Sequence, residues 1–170
     1  MNYYPLLKTT HIPDAIILAN GEFPKHELAL HFLQNSPFTV CCDGAANEFI
    51  DRGYIPNAIV GDGDSISEQN RKRFTDIIFT DTDQETNDQT KAIEYCLSQG
   101  KKDIIILGAT GKREDHTLGN ISLLMDYMYI ANVKMVTDYG VFMSIKDSGR
   151  FECYTGQQIS IINFGAKGLK

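Results

Sequence analysis

Residues 15–19, 38–42, 58–60 and 103–107 form four short, nearly continuous apolar runs. Runs without polar alternation suit strands covered on both faces. A further short run at 77–79 reads the same way. Between them lie segments of helical period: 27–34, 45–52, 67–74, 87–99 and 116–128, the last with Leu118, Ile121, Met125 and Met128 on one stripe. Punctuation agrees, because Asn35-Ser36-Pro37 stops the first of these helices and Gly53 the second. Strands alternating with helices imply right-handed crossovers, so the predicted fold is α/β, a mostly parallel sheet with helices on both faces.

After residue 132 the rhythm changes. Strand candidates at 134–137, 141–145, 150–154 and 158–162 are separated by Asp138-Tyr139-Gly140, Asp147-Ser148-Gly149 and Thr155-Gly156, which signal turns without helices. The expected division is residues 1–132 as an α/β domain and 133–170 as a small antiparallel β unit. A unit of fewer than about 40 residues seldom buries enough apolar surface to stand alone. It is expected to pack on the first domain, to join a partner chain, or to be the opening of something longer.

Charge narrows the partners. The net charge is −6, and the stretch from Asp43 to Asp88 carries eleven acidic residues against four basic ones. Nucleic acid and anionic membrane surfaces call for a basic stripe, so neither is expected as a partner. Cys41, Cys42, Cys96 and Cys153 show no C-x-x-C spacing, which argues against a zinc site or a disulfide framework and for a reducing compartment. The opening Met-Asn-Tyr-Tyr-Pro-Leu-Leu-Lys has no signal-peptide pattern, and the expected location is the cytoplasm.

The acidic residues recur where strands end. Asp43-Gly-Ala-Ala-Asn47, Gly61-Asp62-Gly63-Asp64-Ser65, Asp83-Gln-Glu-Thr-Asn-Asp88 and Gly111-Lys-Arg-Glu-Asp115 each follow closely on an apolar run. In a parallel sheet those ends share one rim, so the carboxylates gather in one crevice. Such a cluster repels itself unless a hard divalent cation and a polyphosphate occupy it. Asp62 and Asp64 stand two apart, which in an extended turn sends both side chains to one face. Competing explanations are helix caps: Asp43 as an N-cap, Ser65 and Ser67 capping the helix after the acidic turn, and Thr86 with Gln89 as a capping box beside Asp88. Gly108-Ala109-Thr110-Gly111-Lys112-Arg113 offers backbone N–H groups and two cations to an anion, though it is neither a Walker A loop nor a dinucleotide fingerprint.

Taken in order, Asn20-Gly21-Glu22, Asp43-Gly-Ala-Ala-Asn47, Gly61-Asp-Gly-Asp-Ser65, Asp83-Gln-Glu-Thr-Asn-Asp88 with Lys91-Ala92, and Gly111-Lys-Arg-Glu-Asp-His116 with Asn120 resemble the thiamine pyrophosphokinase family. The resemblance implies pyrophosphoryl transfer from ATP to the hydroxyl of thiamine, giving thiamine diphosphate and AMP, with Mg²⁺. It implies an α/β catalytic domain followed by a β-sandwich, and a homodimer with thiamine bound between subunits. By motif position, Asp43, Asp62, Asp64 and Asp88 are the expected metal group. Asp88, Asp115 and Arg113 are the expected catalytic residues. Asn20, Gly21, Asp43, Gln84, Asn87, Thr110, Lys112 and Arg113 are the expected ATP and substrate contacts.

Three positions depart from the family pattern: Gly63 where a bulky apolar residue is usual, Asn87 where Thr is common, and Lys112 in place of a frequent Gly. The family's sequence also runs on beyond the region of Gly168-Leu169-Lys170 through further strands that help to form the thiamine site. Two other functions fit the acidic half: pyrophosphoryl transfer to another alcohol such as a hydroxymethylpterin, and a non-catalytic nucleotide-binding module.

Overall fold

The computed structural model describes residues 1–81, 83 and 85–163. Its centre is a seven-stranded sheet of order β5-β4-β3-β2-β6-β7-β8. These are Ile78–Thr80 (β5), Ala58–Gly61 (β4), Thr39–Cys42 (β3), Ala15–Leu18 (β2), Asp103–Leu107 (β6), Asn132–Val136 (β7) and Val141–Met143 (β8). All neighbours pair in parallel except β7 with β8.

Alternation along the central strands splits the core into two layers. Ala15, Ile17, Val40, Cys42, Ile104 and Ile106 pack on one face, with Ala92, Ile93 and Cys96 of helix α4 (Asp88–Ser98) and with Leu124 and Tyr127. Ile16, Leu18, Cys41, Ile59, Ile105 and Leu107 pack on the other, with Phe32 and Leu33 of α1 (Glu27–Asn35) and Phe49 of α2 (Ala45–Asp51). Side chains at successive strand positions point to opposite faces, so both layers must be apolar when helices cover both. Each fully buried Ile or Leu here stabilises the fold by about 1.5–3 kcal/mol. The expected α/β architecture, with an antiparallel pair after it, is what the chain adopts.

Several local expectations are corrected. The stretch expected as one helix over 116–128 is two, α5 (Glu114–Ser122) and α6 (Leu124–Tyr127), and the chain turns at Leu123. The expected stripe is only partly the buried face: Leu118 is 66% exposed, Ile121 and Met125 pack against the core in part, and Leu124 and Tyr127 are the buried residues. Tyr127 is fixed there by its hydroxyl, 2.6 Å from Thr90 Oγ1.

The strand expected at 134–137 as the start of an antiparallel unit is Asn132–Val136, parallel to β6, so the main sheet continues across residue 133. Antiparallel pairing enters only at β8. Gly149–Phe151 (β9) pairs in parallel with an unanticipated N-terminal strand, Asn2–Tyr4 (β1), with Tyr4 stacked on Phe151. The strand expected at 158–162 is irregular and has no ladder partner among the described residues. Among the described residues no helix is long and apolar enough to cross a membrane.

Candidate functional site

From β2 the chain winds outward through β3, β4 and β5, then returns to the opposite side of β2 as β6. The loops leaving β2 and β6 therefore part company at the strands' carboxyl ends, and such a switch point leaves a crevice. Here two backbone bonds stitch its floor: the Gly21 N–H donates to the Gly108 carbonyl at 2.6 Å and the Glu22 N–H to the Thr110 carbonyl at 2.7 Å. A side chain at Gly21 would collide with both carbonyl oxygens, so only glycine permits this approach. The crevice holds a cavity of about 350 Å³ lined by, among others, Asn20, Gly21, Asn87, Asp88, Thr110, Lys112, Arg113 and Asn120.

Beside it three carboxylates meet. One oxygen each from Asp43, Asp62 and Asp64 lies within 4.8 Å of the others. Asp43 follows β3 and carries φ of 31°, a left-handed conformation that Asp and Asn tolerate better than most residues. Its carboxylate does not cap helix α2, whose N-cap is Gly44; it accepts instead the Ser65 N–H at 2.8 Å. Asp43 is only 3% exposed, and among the described residues its other oxygen, Oδ1, has no hydrogen-bond partner. Burial pushes the Asp43 carboxyl up to about 6, with Asp62 and Asp88 adding repulsion.

Asp62 and Asp64 sit on the loop after β4, which side chains pin down. The Asp64 N–H donates to Asp62 Oδ1 at 3.2 Å and holds the Asp62 carboxyl below its ordinary range. Asn47, one helical turn beyond Asp43, donates to the Ser65 carbonyl at 2.9 Å and accepts from the Ser67 N–H at 2.9 Å. Arg71 donates to the Gly63 carbonyl. Ser67 caps α3 (Glu68–Arg73) as expected, by accepting the Asn70 N–H at 3.2 Å.

Asp88 opens helix α4 on the third side, close enough that a side chain on Gly61 would stand 2.7 Å from Asp43 Cβ and 3.3 Å from Asp88 Oδ1. Its carboxyl is raised by burial first and by Asp62 second. The expected capping box is corrected, because Asn87 is the N-cap and accepts the Thr90 N–H at 2.9 Å. Thr86 bonds Asp83 and Gln89 donates to the Asn120 carbonyl, so neither is free to form the box.

The cationic side is more open. Lys112 Nζ reaches Asn20 Oδ1 at 3.5 Å, and Arg113 makes an exposed ion pair with Asp115 at 2.5 Å. That pairing holds the Asp115 carboxyl at about 2. Gln84 lies outside the described residues. Asn47 and Lys91 are the contributors that a reading for charge missed as site residues, although both stand within the quoted motifs. Lys91 is buried, with Nζ 2.8 Å from the Asp81 carbonyl and 4.0 Å from Asp88 Oδ1.

Three convergent carboxylates, one with a buried oxygen lacking any donor, make a fitting seat for a hard divalent cation that keeps some of its waters. A cavity floored by a glycine-bearing loop, with Lys112 and Arg113 in its lining, fits a polyphosphate. The geometry can thus hold a cation and a phosphate chain together.

Comparison with known proteins speaks to the same chemistry. Residues 29–137 match the thiamin pyrophosphokinase catalytic domain and residues 140–170 the thiamin pyrophosphokinase substrate-binding domain. Thiamine pyrophosphokinase 1 of Oryza sativa subsp. japonica is 27% identical over 154 residues, covering 76% of this chain and 58% of that protein. Thiamine pyrophosphokinase of Bacillus subtilis is 38% identical over 79 residues, 44% of this chain and 37% of that protein.

Among solved structures, yeast thiamin pyrophosphokinase superposes with a TM-score of 0.63 at 20% identity, over 80% of this chain and 63% of that one, a likeness of fold. A probable thiamine pyrophosphokinase from Staphylococcus saprophyticus superposes at 0.58 with 28% identity, over 73% of this chain and 65% of that one. The chain spans less than two thirds of the length of each of these four. The catalytic-domain match takes in well over half of the 170 residues, and by it the chain belongs to the thiamin pyrophosphokinase family.

Proposed function

We propose that the protein transfers a pyrophosphoryl group from ATP to the hydroxyl of thiamine, releasing AMP, and that Asp43, Asp62, Asp64 and Asp88 hold the Mg²⁺ that accompanies ATP. The observation that carries this reading is the meeting of carboxylates from two strand ends, with Asp88 beside them, on the same rim as the cavity bearing Lys112 and Arg113. Bound there, Mg²⁺ supplies charge neutralisation at the phosphate oxygens and a template for in-line displacement.

The chain's own residues do the rest. Gly21 and the 108–111 loop floor the crevice, the Gly21 N–H being spent on the Gly108 carbonyl, and Asn20, Asn87 and Thr110 line it for the nucleotide or acceptor. Lys112 and Arg113 oppose the negative charge that grows on the departing AMP. The thiamine oxygen forms its bond to the β-phosphorus as the α–β bridge bond breaks, and its proton goes to a carboxylate. Asp88 is better placed for that task than Asp115, since it lines the crevice beside the carboxylate cluster while Asp115 is committed to an exposed ion pair with Arg113. Asp88→Asn is therefore expected to lower kcat by about 10²–10⁴-fold, the usual reach of general acid–base catalysis, and Asp115→Asn by less than about tenfold. Equal losses in steady-state assays would contradict the assignment.

In this reading the α/β part binds ATP and metal, and the strands from residue 133 onward share in binding thiamine. It extends to a cytoplasmic homodimer. A solution mass of one chain, 19.0 kDa, at every concentration tested would count against the dimer. Incubation with MgATP and thiamine, followed by separation of nucleotides, tests the reaction itself. AMP with thiamine diphosphate is expected and should vanish with a chelator. AMP formed only with a hydroxymethylpterin would change the acceptor. ADP without AMP, or binding of ATP without turnover, would contradict pyrophosphoryl transfer.

A further inference from the structure

We infer that Lys91 is the internal counter-cation of the acidic crevice, and that it keeps divalent-cation affinity low enough for the ion to come and go with the nucleotide. The inference rests on the metal-binding part of the proposed function. Lys91 occupies the first turn of α4, where the helix dipole disfavours a cation. Its side chain is 4% exposed, and burying an ammonium costs several kcal/mol unless partners compensate. A lysine so placed needs a strong local reason, and the acidic group supplies it: Asp88 Oδ1 is 4.0 Å away, and Asp88 and Asp43 both stand close against Gly61.

One hydrogen bond, 2.8 Å to the Asp81 carbonyl, also ties the ammonium to the loop leaving β5. Two roles can therefore be separated, a charge and a clamp. Affinity for hard cations rises with the net negative charge of the donor set. A positive charge fixed against Asp88 lowers that net charge without occupying a ligand position. Without such a neighbour the same carboxylates would hold a cation more tightly before phosphate arrives. With it, tight binding awaits the added charge of a polyphosphate.

Two neutral variants distinguish the roles. Lys91→Gln removes the charge and retains a donor for the Asp81 carbonyl, whereas Lys91→Met removes both; Lys91→Arg retains the charge. Mn²⁺ dissociation constants measured by calorimetry without nucleotide, alongside thermal melts, provide the readout. Tightening by about three- to tenfold is expected in both K91Q and K91M, with K91R within about twofold of the parent. If K91M does not fold, K91Q carries the test alone, and K91R serves as its charge-retaining control. A parent that binds Mn²⁺ while K91Q binds it equally or more weakly overturns the counter-cation role alone. Absence of Mn²⁺ binding in parent and K91Q alike, with and without a non-hydrolysable ATP analogue, overturns both this inference and the metal reading beneath it.

Discussion

Replacing Asp43 by Asn is expected to give a protein that is more stable without ligand and almost inactive. The Asp43 carboxyl is buried and raised to about 6 in the folded protein, against 3.8 for the free side chain. A raised carboxyl costs stability as pH climbs: the fold is fully favoured below about 4, and that advantage is lost as pH rises through 6. At pH 8 the cost is about 1–3 kcal/mol, allowing for relaxation around the site.

Asn keeps an acceptor for the Ser65 N–H, tolerates the left-handed backbone at this position, and can turn its amide toward Asp62 and Asp88. Metal-free D43N should therefore melt about 3–8 °C higher at pH 8, and the gain should disappear near pH 4. Adding Mg²⁺ and ATP should stabilise the parent and leave D43N nearly unmoved, by mass action. Activity should fall by about 10³-fold, the scale of losing one charge-stabilising group at a transition state. Differential scanning fluorimetry across pH, with and without MgATP, checks the stability side. A D43N protein that melts lower than its parent at pH 8 would contradict the account of that carboxylate.

The second large effect concerns Gly21. Exchanging glycine for alanine where the backbone is unstrained usually stabilises by about 0.4–1 kcal/mol, through the unfolded chain. Gly21 should do the opposite, because the new methyl group would press on the Gly108 and Thr110 carbonyl oxygens, neither of which can yield without opening the stitch between the β2 and β6 loops. Overpacking of this kind costs about 1–3 kcal/mol, and G21A should melt about 3–10 °C lower with ATP binding weakened. Gly119 provides the control. It lies within helix α5 with nothing near its added methyl group, so G119A should gain about 0.5–1 kcal/mol. Melting both variants by circular dichroism separates the cases; two shifts of the same sign would contradict the close-approach argument.

How far the sequence could be read follows from where each element's stability comes from. Strands β2, β3, β4 and β6 were visible because their own composition demands burial on two faces, and the acidic loops were visible because they sit at those strands' ends. Strand β1 was not, because three residues carry no periodic signal and its partner β9 lies at the far end of the chain. The break at Leu123 was hidden by an apolar spacing that continues across it. The 158–162 segment alternates like a strand yet has no ladder partner among the described residues, which periodicity alone cannot reveal.

At the site, charge drew notice to the aspartates while their supports went unread. Asn47 acts through two hydrogen bonds to a loop some twenty residues on, and Lys91 through burial. Neither property is local in sequence.

The central claim is that carboxylates from separate strand ends share one cation. Crystals grown with Mn²⁺ and a non-hydrolysable ATP analogue test it by anomalous scattering. A peak about 2.0–2.5 Å from oxygens of Asp43, Asp62 and Asp64, with phosphate oxygens on its open side, is expected. Clear density for the analogue with the metal bound away from these three aspartates would contradict it.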